Sequence, residues 1–207
     1  EELEIKEVRD TINKLRAKNL DDDSFIKKFS DIFKENKMES ISEGTFFSSI
    51  LFISALDETN KIETFLEKFE NAESPQMQGR YRAVLGQVRD QNASKKIVEF
   101  MLDGRIRGAD CPYILASMIT NKYIGKKSWK VIKENFNDLL SVMPDWTASR
   151  ILDALPAIYD EEFAGDIKNF IKKNPLPSSE KLAAQKLERL EANIEFMDNL
   201  KEVNNET

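Results

Sequence analysis

The sequence contains no histidine in 207 residues. That removes the side chain most often used as a general base or metal ligand near neutral pH. There is one cysteine, Cys111, so no disulfide can form within the chain. A lone thiol fits a reducing compartment, and a cytoplasmic location is expected. No apolar run approaches the roughly 18–20 residues that span a bilayer, so no membrane partner is expected. A basic excess is missing too: 31 Lys and Arg against 37 Asp and Glu leave a formal charge of −6. Nucleic-acid binding needs a basic face to displace counterions, so no nucleic-acid partner is expected either. Local clusters such as Lys122, Lys126 and Lys127 read as a solvated face. No glycine-rich phosphate loop and no nucleophile–base pair can be found, which argues against a complete active site in these residues. Carboxylates are plentiful, but without a histidine or cysteine cluster they make no zinc site. No metal or cofactor is therefore expected in this chain. The chain opens on Glu1 rather than methionine, and is expected to be a piece of something longer.

Glycine (7) and proline (6) are scarce, and both fall where helices should start or stop. Ser40-Ile41-Ser42-Glu43 has the form of a capping box before an apolar stretch over 46–56. Ser74-Pro75 reads as an N-cap followed by the first helical position, where proline has no N–H to waste. Asn92 can cap a helix over 97–102, and Gly104 can end it in a left-handed backbone. Asp110 can cap the next helix, and Gly125 is expected to end it. Pro175 and Pro177 separate the last helix from its predecessor. In that last helix Ala183, Leu187, Leu190, Ile194 and Met197 alternate steps of four and three, which places them on one face. Phe196 and Leu200 are expected to widen the stripe. Trp146 is expected to cover a neighbouring helix end. Cys111 reads as a small buried hydrophobe. No strand alternation persists, so the fold class is all-α, with some ten to twelve helices joined by short connections. Helix lengths suit a curved superhelix of stacked antiparallel pairs, HEAT- or armadillo-like, with a concave binding face. Residues 1–207 read as one continuous domain.

Several segments occur in a telling order. They are Gly104-Arg105-Ile106-Arg107-Gly108-Ala109-Asp110, Asn121-Lys122-Tyr123-Ile124-Gly125 with Trp129, and Glu134-Asn135-Phe136. Ser149-Arg150, Gln185-Lys186-Leu187-Glu188 and Asn193-Ile194-Glu195-Phe196 follow. In this order they resemble the C-terminal helical domain of the M1-family zinc aminopeptidases. The resemblance is strongest over 80–200, where Tyr81 to Gly86 and Asp90 add to it. Ala109 stands where that family often has glutamine, and Phe136 where it often has tryptophan. The family's catalytic H-E-x-x-H helix and Gly-x-Met-Glu-Asn strand do not occur here.

The resemblance thus implies an accessory domain, with zinc held in a catalytic domain that is not in this chain. The partners it implies are that catalytic domain and peptide substrates. The helical domain would cap the catalytic one, wall a cavity and anchor the peptide C-terminus. Arg150, Arg107 and Lys181 are the candidate substrate-binding residues, since a basic side chain suits a carboxylate. Arg107 and Asp110 are also close enough to clasp a turn, and Arg150 could equally make a surface ion pair. Asp110, Asn121, Gly125, Trp129, Asn135, Gln185, Glu188 and Asn193 read as structural positions. Trp129 reads as a core anchor, Asn135 as a helix-to-helix polar contact, and Glu188 and Asn193 as packing or capping contacts. The alternative is a non-catalytic helical-repeat scaffold that binds proteins or peptides.

Overall fold

The Ser74 hydroxyl accepts a hydrogen bond from the Met77 amide at 3.2 Å, and Pro75 opens the helix it caps. The same local logic punctuates the rest of the chain. The computed structural model describes residues 23–35, 44–177 and 179–205, and every regular element among them is a helix. The all-α class expected from the sequence is what the structure has. The capping box expected over Ser40–Glu43 lies outside the described residues. The chain falls into two compact units that part between Ala93 and Ser94.

The first unit holds α1 (Asp23–Lys34), α2 (Gly44–Ala55), α3 (Ile62–Glu70) and α4 (Pro75–Leu85). The α2 sequence is apolar nearly all round, so it needs cover on several sides. It packs against α1 and α4, and Ile50, Leu51 and Ala55 are fully buried. Phe33 of α1 stacks on Phe65 of α3 with ring centroids 4.8 Å apart. Phe47 of α2 meets Tyr81 of α4 edge to face. Polar joints run through this core. Buried Asn60 donates to the Ser30 hydroxyl and to the Ser54 carbonyl, each at 2.8 Å. Lys61, which precedes α3, makes no side-chain cap, and buried Asp90 takes that role from 28 residues away. Its carboxylate accepts from the Ile62 amide at 3.1 Å and from the Asn92 amide at 3.0 Å.

The second unit follows with α5 (Ala93–Leu102), α6 (Cys111–Ile119), α7 (Gly125–Glu134), α8 (Phe136–Val142) and α9 (Asp145–Ala148). A nine-residue 3-10 helix (Ser149–Ala157), α10 (Glu161–Lys173) and α11 (Glu180–Asn205) complete it. Gly104 follows α5 with φ +73°, the left-handed turn expected there. Pro175 and Pro177 lie between α10 and α11, also as expected. On α11, Leu190 is buried and Ala183, Leu187, Ile194 and Met197 are half-buried.

Several expectations need correction. Gly125 does not end α6; it is the first residue of α7, and α6 stops at Ile119. A Cβ on Gly125 would sit 2.5 Å from the Ile119 carbonyl oxygen, so close approach of two segments calls for glycine there. Asp110 occupies the cap position of α6 but makes no capping bond, because its carboxylate is engaged by Arg107. Trp146 is 75% exposed and covers no helix end. Phe196 is 62% exposed, since two residues turn a helix by about 200° and carry it away from the stripe through Ile194.

Candidate functional site

All the structural positions named from the sequence fall in the second unit, at turns and helix seams. In the first turn, Arg107 Nε and Nη2 reach the two Asp110 carboxylate oxygens at 3.2 and 3.4 Å. The fork is bidentate, yet the Arg107 side chain is 78% exposed, so it contributes little to stability. Gly108 is pressed onto the end of α8: a Cβ there would lie 2.0 Å from the Val142 carbonyl oxygen. Cys111 is buried below, and its thiol donates to the Arg107 carbonyl at 3.4 Å. Burial, aided by the Asp110 charge, pushes that thiol up to about 12, so it is unreactive near neutral pH. The small buried hydrophobe read from the sequence is what the structure contains.

In the second turn, buried Asn121 accepts from the Tyr123 and Ile124 amides at 2.9 and 3.2 Å. It shapes the entry to α7. Trp129, one helical turn beyond Gly125, is 1% exposed. Its indole N–H donates to Asp166 at 2.9 Å, and its ring meets Phe170 edge to face at 5.2 Å. Phe136 meets the same Phe170 ring at 5.0 Å, so phenylalanine keeps an apolar partner where the family often has tryptophan. Lys133 pairs with Asp166 at 2.6 Å. Lys126 pairs with Asp160 at 2.6 Å. The hydrogen bond to Asp160 raises the Lys126 ammonium, and that same bond, with the Phe163 amide, lowers Asp160. Residues 126, 129 and 133 share one face of α7, and all three fasten α10. Asn135 donates to the Val131 carbonyl at 2.8 Å. That closes its own helix end rather than bridging two helices.

The third place is the seam between the 3-10 helix and α11. At three residues per turn, positions i and i+3 eclipse. Ile151 with Ala154, and Leu152 with Leu155, are thereby buried as two rows. Arg150, Asp153 and Pro156 form the third row. Arg150 pairs with Asp153 at 3.7 Å, Asp153 also takes Lys186 of α11 at 2.8 Å, and Asn193 donates to the Pro156 carbonyl at 2.7 Å. Arg150 and Asn193 thus meet at one seam. Asp153 and Lys186 belong there as well and were not singled out from the sequence. The Arg150–Asp153 spacing of three was the available signal, since positions i and i+3 are neighbours on either kind of helix, but nothing in it points to Lys186. Lys181, Gln185 and Glu188 are exposed on α11, so Glu188 is not a packing position.

The geometry supports holding helices together and presenting exposed cations. Chemistry needs more than that. Among the described residues no three His, Cys, Asp or Glu side chains converge to hold a metal ion. The described residues do not fit zinc. None of the described helices is long and apolar enough to cross a membrane.

The described residues define an all-helical fold. The model of the ERAP1-like C-terminal domain family matches residues 4–192, so the chain belongs to that family. Membership points to an accessory domain of an aminopeptidase, and hence to a catalytic domain as its partner.

Proposed function

We propose that this chain is the accessory C-terminal domain of a zinc-dependent aminopeptidase that removes N-terminal residues from peptides. The observation that carries the reading is the family match over 4–192 in a chain with no histidine. Such a domain serves by shape and charge. It caps the catalytic domain, walls the substrate cavity and excludes water on closing. The peptide C-terminus is held by exposed cations, and Arg150 is the first of these. Its side chain is 52% exposed, with Asp153 holding the guanidinium in place. Arg107 and Lys181, both exposed, are further anchors.

Two experiments test this. The coding region upstream of Glu1 should encode H-E-x-x-H with a downstream glutamate and a Gly-x-Met-Glu-Asn strand. Replacement of those residues would overturn the peptidase reading and leave a helical scaffold whose partner must be sought directly. In the active parent, Arg150→Ala should raise KM for longer peptides and spare single-residue amide substrates. Equal effects on both substrates would remove the anchoring role.

A further inference from the structure

The groove between α10 and α11 has no part in the proposed peptidase function. Its volume is about 480 Å³, room for one or two inserted side chains rather than a whole helix. On α10 it is lined by Glu161, Ala164, Gly165 and Lys168, spaced i, i+3, i+4 and i+7, which is one helix face. On α11 the lining runs along a single face from Leu190 through Ile194 to Asp198. The floor is apolar and small: Ala164 and Gly165 face Leu190 and Ile194. A Cβ placed on Gly165 would meet nothing within 4 Å, so the floor there is open helix backbone.

The rim has one sign. Among the described residues that line it, Glu161, Glu191, Glu195 and Asp198 bring four carboxylates to the edges against one cation, Lys168. That lysine is already paired with Glu191. From residue 190 to 199 the α11 sequence contains three acids and no Lys or Arg. An apolar slot with an acidic rim repels an acidic partner and attracts a basic one.

We propose that this groove docks a basic amphipathic segment of a partner protein. The segment inserts an apolar side chain over Ala164, Gly165 and Ile194. Its flanking Lys or Arg side chains pair with Glu161 and Glu195. The attraction is electrostatic at the rim, so it weakens as salt rises past the point where screening acts within about 8 Å. The groove stands whether or not a catalytic domain precedes this chain, so its fate and that of the peptidase reading are separable.

The test uses the full 207-residue chain. The probe is a fluorescently labelled Leu/Lys amphipathic peptide of about 14 residues, with a Leu/Glu peptide of the same pattern as counterpart. The Leu/Lys peptide should bind and the Leu/Glu peptide should not. Gly165→Leu fills the slot, and should weaken binding at least about tenfold. Gly165→Ala is a milder filling variant whose loss should be smaller, and circular dichroism checks that both keep the helix content of the parent. Glu161→Lys with Glu195→Lys should also weaken binding at least about tenfold. Glu63→Lys with Glu67→Lys changes the net charge equally at exposed positions of α3, and should leave affinity within about twofold. Three outcomes overturn the proposal: no binding of the Leu/Lys peptide, unchanged binding to folded Gly165→Leu, or equal losses from both charge variants. The last would show attraction to the whole acidic chain rather than to the groove.

Discussion

In the unit that ends at Ala93, buried polar joints run through the core, beside exposed pairs such as Lys34 with Asp57 and Arg89 with Glu58. Asn60 ties Ser30 to the Ser54 carbonyl in the core, and Asp90 reaches under α3 from far along the chain. In the unit that begins at Ser94, most charged joints lie at the rim: Lys126 with Asp160, Lys186 with Asp153, Lys168 with Glu191. There the interior is fastened by aromatic contact around Trp129 and by the paired hydroxyls of Ser94 and Ser128. The difference matters because a buried hydrogen bond is costly to break, whereas an exposed ion pair is nearly free to lose. A surface held by cheap pairs can exchange them for a ligand. An interior joint cannot be exchanged that way.

The largest effect should come from the second unit's aromatic anchor. Trp129→Ala should cost about 3–5 kcal/mol in urea unfolding, since it empties a core site and removes the ring contact with Phe170. A cost near that of a surface substitution would show that this interior is not what holds the unit. In the first unit, Asn60→Ala should cost about 1–3 kcal/mol, because the Ser54 carbonyl and the Ser30 hydroxyl lose a buried donor. If it proved neutral, the contrast between inner and outer joints would fail.

A smaller effect is expected from Asp57. Burial alone would raise its carboxyl, but hydrogen bonds from Ser30 and Thr59 and the charge of Lys34 outweigh burial and bring it down to about 2 from 3.8. A lowered folded value means the stabilisation is present above about 3.8 and is lost as pH falls through about 2. Discounted for solvent screening it is on the order of 1 kcal/mol, read as the acid-limb difference between wild type and Asp57→Asn. The smallest effect belongs to the rim: Arg150→Ala should shift unfolding by less than about 0.5 kcal/mol while changing peptide kinetics in the parent.

Local chemistry made much of this legible before any coordinates. Ser74-Pro75 declares a helix start within two residues, and Gly104 a helix stop within one. The apolar stripe of α11 could be counted from its spacing. What stayed hidden depended on distant or competing partners. Asp110 looked like a cap because nothing in its spacing says that Arg107 will take its carboxylate. Gly125 looked like a helix end because its neighbour, the Ile119 carbonyl, is set by how α6 and α7 close on each other. Trp146 looked covered because tryptophan usually is, and no pattern of residues reveals an uncovered one. The order of motifs carried the family, while the pairing of Asp153 with Lys186 depended on how α11 packs on the 3-10 helix.

The remote cap at Asp90 also has a consequence for how the chain comes into being. On a ribosome, residues of α3 emerge well before Asp90 does, so the first turn of that helix is born with free amides. It can settle only when the segment through Val88, Arg89 and Asp90 arrives and the Arg89 amide reaches the Ala55 carbonyl at 2.8 Å. Pairings of such sequence separation form late and slow a fold. A fragment cut just before residue 90 would therefore carry all four helices of the first unit and still lack the group that completes the third. Its amides at the start of α3 should exchange with solvent far faster than those at its centre.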